Sequence, residues 1–164
     1  MRDDEGFAAF AAANARRLRL GARLLTGDDA RAEDLVQTAL ARTYLRWDRI
    51  RADDPMAYVR RVLFTAHAEW WRRKWRHEYP TEELPEQVSA GDHAAEHAER
   101  DRLRLALARL TPRERAVVVL RFYEDLGERE TAAALGIAVG TVKSTCSRAL
   151  HKLRTSPLLL EEVR

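Results

Sequence analysis

Residues 128–154 have the spacing of two short helices joined by a tight turn. Ala132 is small where such helices cross closely. Gly136, four residues on, stands where the turn needs a left-handed backbone that glycine adopts without steric cost. Ile137 and Val142 supply apolar contacts on either side. In the second helix Val142, Cys146, Ala149, Leu150 and Leu153 share the core face. Thr141, Ser144, Ser147, Arg148 and His151 fall largely on the opposite face. Lys143, Arg148, Lys152 and Arg154 add charge with no acid among them. Short hydroxyls beside cations suit a helix that enters a major groove, where they meet base edges and phosphates. The chemistry on offer is recognition of a polyanion.

Two further basic clusters lie upstream: Arg16, Arg17, Arg19 and Arg23, then Arg72, Arg73, Lys74 and Arg76. An acidic stretch separates the second from the third. It carries Glu78, Glu82, Glu83, Glu86, Asp92, Glu96, Glu99 and Asp101, relieved by Arg100. The net charge of +3 understates this segregation, because a polyanion attracts the basic blocks and repels the acidic one. Bond-making chemistry finds little support. There is no His-Glu-x-x-His metal motif, no glycine-rich phosphate loop and no nucleophile elbow. Asp92, His93 and His97 sit together in acidic sequence with no obvious further ligand, so neither metal nor cofactor is expected. Cys146 is the single cysteine, which excludes an internal disulfide, and its core register makes it a small hydrophobe. No apolar run reaches the roughly 18 residues needed to span a bilayer, and Arg2-Asp3-Asp4-Glu5 is no signal peptide start. A soluble, cytoplasmic protein without membrane insertion is expected.

The elements that must position these residues are helical throughout, since Ala, Leu, Arg and Glu dominate. A first helix is expected over about 5–25, closed by Thr26-Gly27, and a second from Asp28-Asp29 to about Trp47. Phe7, Phe10, Leu18, Leu25, Leu35, Val36, Leu40, Tyr44 and Leu45 would form their shared core. Asp54-Pro55 opens a third helix running through Trp75, with Val59, Val62, Leu63, Ala66 and Trp70 inward. Pro80, Pro85, Gly91 and the acidic excess mark 78–93 as a flexible linker. Helical pattern resumes near Ala94 with Leu103, Leu105, Leu107 and Leu110. A further helix carries Val117, Val118, Leu120 and Phe122, and two shorter ones close the chain at about 128–135 and 140–154. The expected fold is all-α: two small helical bundles, 1–77 and 94–164, joined by the acidic linker, the second with a helix-turn-helix.

Leu110-Thr111-Pro112-Arg113-Glu114-Arg115, Leu120-Arg121-Phe122-Tyr123-Glu124-Asp125-Leu126, Ala134-Leu135-Gly136-Ile137 and Val139-Gly140-Thr141-Val142-Lys143-Ser144 together resemble region four of the sigma-70 family. The variant is the short extracytoplasmic-function group, and the likeness covers nearly all of 96–154. It implies a helix-turn-helix that reads the minus-thirty-five promoter element with Thr141, Lys143, Ser144, Ser147, Arg148 and Lys152. Ala32-Glu33-Asp34-Leu35-Val36-Gln37-Thr38-Ala39-Leu40 resembles the region-two helix that binds the coiled coil of the largest RNA polymerase subunit. That assigns Asp34, Leu35, Val36 and Gln37 to core polymerase binding.

The third helix then gains a role in promoter melting. Holding an unpaired strand takes aromatic platforms beside cations, and Trp71, Arg72, Arg73, Lys74 and Arg76 have that composition, with Trp70 shared between core and DNA. The family's base-capturing loop corresponds to about 49–56, and its linker threads through the polymerase cleft. The sequence departs from the family's usual pattern at Thr65, often asparagine, at Thr145, often basic, and at Cys146, often leucine. The resemblance also admits an anti-sigma factor as partner. The alternative, a free-standing helix-turn-helix regulator acting as a dimer, leaves the N-terminal half unexplained and lacks evident dimerisation heptads.

Overall fold

Capping residues set where the helices begin and end. The computed structural model describes residues 3–77 and 94–160, apart from the side chains of Trp71, Arg72, 74–77 and 94–96. Helix α1 spans Asp4–Thr26; the Asp3 carboxylate caps it, accepting from the Gly6 N–H at 2.9 Å. That bond and the Arg51 guanidinium, 2.9 Å away, hold the Asp3 carboxyl below its ordinary pKa. Gly27 closes α1 at φ 71°, its N–H returning to the Arg23 carbonyl at 2.8 Å. Helix α2, Asp29–Ile50, is capped by Asp28, and it runs three residues beyond the expected Trp47. Helix α3, Pro55–His77, starts where Asp54 accepts from the Ala57 N–H at 3.0 Å. The expected linker at 78–93 lies outside the described residues.

Contacts along the chain group into two units, Met1–Pro80 and Thr81–Arg164. In the first, α2 packs against both α1 and α3. Leu18, Ala22, Leu25, Val36, Ala39, Val59, Leu63 and Phe64 are buried between them. One end is filled by rings: Phe7 and Phe10 lie 5.4 and 5.2 Å from Trp47, and Phe7 lies 5.0 Å from Tyr44. Leu45, expected in this core, is 68% exposed. The buried stripe of α2 runs Ala32, Val36, Ala39, Thr43, Trp47, and Leu45 falls about half a turn off it. Thr43 fits because its hydroxyl donates to the Ala39 carbonyl at 2.7 Å, which leaves no unmet polar atom on that side chain. His67 is a further buried residue of α3.

The second unit contains α4 (Ala94–Ala108), α5 (Pro112–Val118), α6 (Glu128–Leu135), α7 (Val139–Arg154) and the short α8 (Pro157–Leu160). Its core holds Ala106, Leu107, Leu110, Val117, Val119, Leu120, Ala132, Val142 and Ala149. Leu103, Leu105 and Phe122, apolar positions of the helical pattern, are exposed. For Phe122 the cause is a π-helical turn over Val119–Tyr123, where the Glu124 N–H reaches back five residues to the Val119 carbonyl at 3.0 Å. The wider turn swings Phe122 off the Val118 face, which an α-helix would share with it.

Arg115 ties α4 to α5. Its side chain is buried, and it donates to the carbonyls of Leu107 at 2.9 Å, Ala108 at 3.3 Å and Leu110 at 3.3 Å. These carbonyls lie in the last turn of α4 and just beyond it, and that of Leu107 also accepts from the Leu110 N–H at 3.1 Å. Arg115→Ala would strip them of a charged donor and should destabilise this unit by about 3 kcal/mol. All four tryptophans lie at positions 47, 70, 71 and 75, in the other unit. A urea titration read by circular dichroism should therefore shift while tryptophan fluorescence keeps its midpoint. An equal shift in both probes would contradict this local role.

Candidate nucleic-acid interface

The direction of α7 is fixed by the turn before it. Gly136 has φ 66° and ψ 37°, and its N–H and that of Ile137 both return to the Ala132 carbonyl, the latter at 3.1 Å. An L side chain at Gly136 would be strained whatever space surrounds it. Val117, Ala132 and Val142 meet in one buried cluster, with Leu135, Ile137, Val139 and Cys146 packed around it. The small Ala132 lets α6 and α7 approach. Cys146 is half-buried against this cluster, as its register implied.

With Val142, Thr145 and Ala149 inward, α7 turns Lys143, Ser144, Ser147, Arg148, His151 and Lys152 to solvent and leaves Thr141 half-buried. The helix carries no acid, so its outer face is positive throughout. Lys143 lies 3.7 Å from Glu128 on α6, a pair open to water and easily exchanged for a phosphate. Ser144 Oγ donates to the Thr141 carbonyl at 3.2 Å. Thr145 is 1% exposed. The departure at this position therefore sits in the core, not on the outer face of α7. Its hydroxyl accepts from Arg148 at 3.5 Å.

Lys152 is differently engaged. Its ammonium donates to Glu114 Oε2 at 2.9 Å, and that oxygen also accepts from the Thr111 N–H at 3.0 Å. Thr111 in turn accepts from the Glu114 N–H at 3.2 Å. This is a reciprocal capping box at the start of α5 with the last turns of α7 tied to it. Sequence reasoning passed over Glu114, although Thr111-x-x-Glu114 is a readable signature.

On the first unit, Asp34 and Gln37 are exposed on α2 and Leu35 is half-buried. Gln37 Nε2 donates to Glu33 at 3.4 Å. Val36, grouped with them from the sequence, is 3% exposed and packs in the core, so it supports this surface without presenting itself there. On α3, Arg73 is exposed. Trp71, Arg72, Lys74 and Arg76 lie on the same helix, their side chains outside the described residues. Trp70 is half-buried, and the Arg31 guanidinium sits 3.5 Å from its ring centroid. Burial lowers the Arg31 pKa, opposed by Asp28. Arg31, Asp34, His67, Trp70 and Arg73 line one cavity of about 160 Å³. Among the described residues no three His, Cys, Asp or Glu groups could hold a metal ion, and no helix is long and apolar enough to cross a membrane.

This is a helix-turn-helix protein whose second helix presents an acid-free outer face. Residues 100–153 match the family described as sigma-70, region 4. The RNA polymerase sigma-E factor of Streptomyces coelicolor is 53% identical over 137 residues, covering 81% of this chain and 75% of that one. The ECF RNA polymerase sigma factor SigM of Mycobacterium tuberculosis is 31% identical over 139 residues, 84% of this chain and 70% of its own length. The sigma factor RpoE from Bartonella quintana, solved with the anti-sigma factor NepR, shares the fold at a TM-score of 0.69. Its identity is 23%, over 96% of this chain and 98% of that chain. The chain belongs to the RNA polymerase sigma factors of the extracytoplasmic-function group.

The Glu114 site gives a pH dependence. Burial raises its pKa, but the Lys152 ammonium and the Thr111 N–H and hydroxyl outweigh burial and hold the carboxyl below its ordinary 4.5. A folded-state pKa that is depressed contributes stability above the unfolded value, lost as pH falls through the folded one. Glu114→Gln should thus melt below the wild type at pH 7, with the gap closing beneath pH 4.5. A gap unchanged down to pH 3 would contradict the ion pair's part in stability.

Proposed function

We propose that this chain associates with core RNA polymerase, directs it to promoters and assists strand opening, performing no catalysis of its own. The observation that carries the reading is the outer face of α7. Lys143, Ser144, Ser147 and Arg148 are exposed outside a core of Val142, Thr145 and Ala149, with Thr141 half-buried at the margin, on a helix with no acid. In this reading residues 94–164 contact the minus-thirty-five element. Hydroxyls and Arg148 meet base edges, and Lys143 meets phosphate. Lys152 reaches phosphate only by releasing Glu114, so it is the weaker of the two lysine contacts.

Residues 1–77 bind the polymerase and the minus-ten element. The exposed Asp34 and Gln37, with the half-buried Leu35, form the docking strip. Trp71, Arg72, Arg73, Lys74 and Arg76 hold the unpaired strand by stacking and by phosphate contact. The linker 78–93 tethers the two halves. The place of action is the cytoplasm, where polymerase and DNA meet, and an anti-sigma factor is a partner consistent with the solved relatives' complexes.

Two substitutions should fail in different ways. Asp34→Ala with Gln37→Ala should weaken association with core polymerase while leaving helical content unchanged. Arg148→Ala should leave that association intact and weaken closed-complex formation on promoter duplex, by about 1–3 kcal/mol for a bidentate base contact. Fluorescence anisotropy of labelled protein with core, then of labelled promoter with holoenzyme, separates the two. Loss of core association in the Arg148→Ala variant, with the fold intact, would contradict the division of labour. Tight sequence-specific binding by the chain alone would favour a free-standing dimeric regulator.

A further inference from the structure

The first basic cluster has no part in the reading above, and the fold gives it a place. Buried Leu18, Ala22 and Leu25 define the inner face of α1, and Arg16, Arg19 and Arg23 are all exposed. At 3.6 residues per turn these three arginines fall within an arc of about 60° on one exposed flank of the helix, along about 10 Å of axis. Arg16 has Ala12, Ala13, Arg19 and Leu20 as its three- and four-residue neighbours, and Arg19 has Ala15, Arg16, Ala22 and Arg23. None is acidic, so the stacked cations repel one another without relief on their own helix. Among the described residues neither the Arg16 nor the Arg19 side chain makes an ion pair or hydrogen bond. Surface cations elsewhere often do, as in Arg42 with Glu69, Arg51 with Asp3 and Lys143 with Glu128. The helix dipole accounts for Arg23, which lies in the last turn and also meets Asp29 at 3.1 Å. It does not reach Arg16 or Arg19, because its effect is confined to the terminal turn.

Packing brings the C-terminal end of α1, three residues past Arg23, beside α3 where its basic run begins. Thr26, at the close of α1, lines one cavity with Arg31, Trp70 and Arg73.

We propose that the outer face of α1 is a second DNA-backbone surface, on which Arg16 and Arg19, with Arg23, bind phosphates of the promoter beyond those held by α3. This rests on the promoter-binding reading above. The ligand chemistry is the phosphodiester anion, offered by either duplex or unpaired strand. Neutralising Z phosphates gives a salt slope of about −0.9Z on duplex and about −0.7Z on a single strand.

The test compares wild type, Arg16→Ala/Arg19→Ala and Arg16→Lys/Arg19→Lys, each as holoenzyme with core polymerase. Binding is measured between 50 and 200 mM salt on promoter duplex and on the same promoter with a pre-melted minus-ten bubble. Loss of two phosphate contacts should flatten the slope, so that over this range wild type loses about 7- to 12-fold more affinity than the alanine variant. The lysine variant should keep the wild-type slope. Flattening on both templates assigns the stripe to duplex phosphates, and flattening on the bubble template alone assigns it to the unpaired strand. Unchanged slopes with unchanged core affinity would make the stripe merely solvated and overturn the proposal. Unchanged slopes with weakened core affinity would overturn it in favour of an acidic protein surface. A wild-type chain that cannot join core polymerase would overturn the underlying reading, and the core-binding measurement shows this separately.

Discussion

The angle at which α7 leaves Gly136 decides which of its side chains can meet anything outside the protein. A left-handed residue at the turn and a methyl-sized contact at Ala132 let α7 drop onto Val117 through Val142. Once Val142 is buried, helical geometry carries Thr145 and Ala149 inward with it and sends Lys143, Ser144, Ser147 and Arg148 outward. The far end of the same helix is held by Lys152 on Glu114, and Glu114 in turn caps α5. Arg115, the next residue, fastens α5 to the open end of α4. Consecutive buried charges of opposite sign therefore set the frame from which the outer face of α7 projects. Each is satisfied by specific partners, the condition under which a buried charge is tolerated.

Charges in this protein divide by what they are bound to. Arg115 and Glu114 are structural, inside hydrogen-bond networks. Lys143 and Arg42 form exposed pairs that contribute little to stability and dissolve readily in favour of a phosphate. The side chains of Arg16 and Arg19 have no partner among the described residues, and binding a polyanion would relieve their repulsion. A protein organised this way binds DNA with strong salt dependence, because much of the contact is charge neutralisation.

Much of this was legible in the sequence because the decisive residues have few uses. Gly27 and Gly136 mark left-handed positions, Asp28 and Asp54 mark helix starts, and Pro55 and Pro112 stand at first helical positions. Val142 falls on the inner face and Ser144, Ser147 and Arg148 on the outer one, as the helical register implies. Leu45 was misread because apolar character was treated as burial. Leu45 and Phe122 are apolar but out of phase with their buried stripes, the second because a π-helical turn interrupts the register. Thr43 and Thr145 are polar but buried, and Thr43 meets its hydrogen-bonding need within its own helix. Polarity at threonine is thus a poor guide to exposure in helices. Lys152 looked like every other cation on α7, since its partner lies 38 residues away and spacing cannot reveal it.

Run-off transcription with purified core polymerase on a set of genomic fragments tests the central claim most directly. Discrete transcripts from particular fragments should appear when this chain is added and be absent with core alone. They should also disappear with Arg148→Ala, although that variant still binds core. Silence on every fragment despite stable binding to core, or specific duplex binding by a dimer that core polymerase does not alter, would contradict the account.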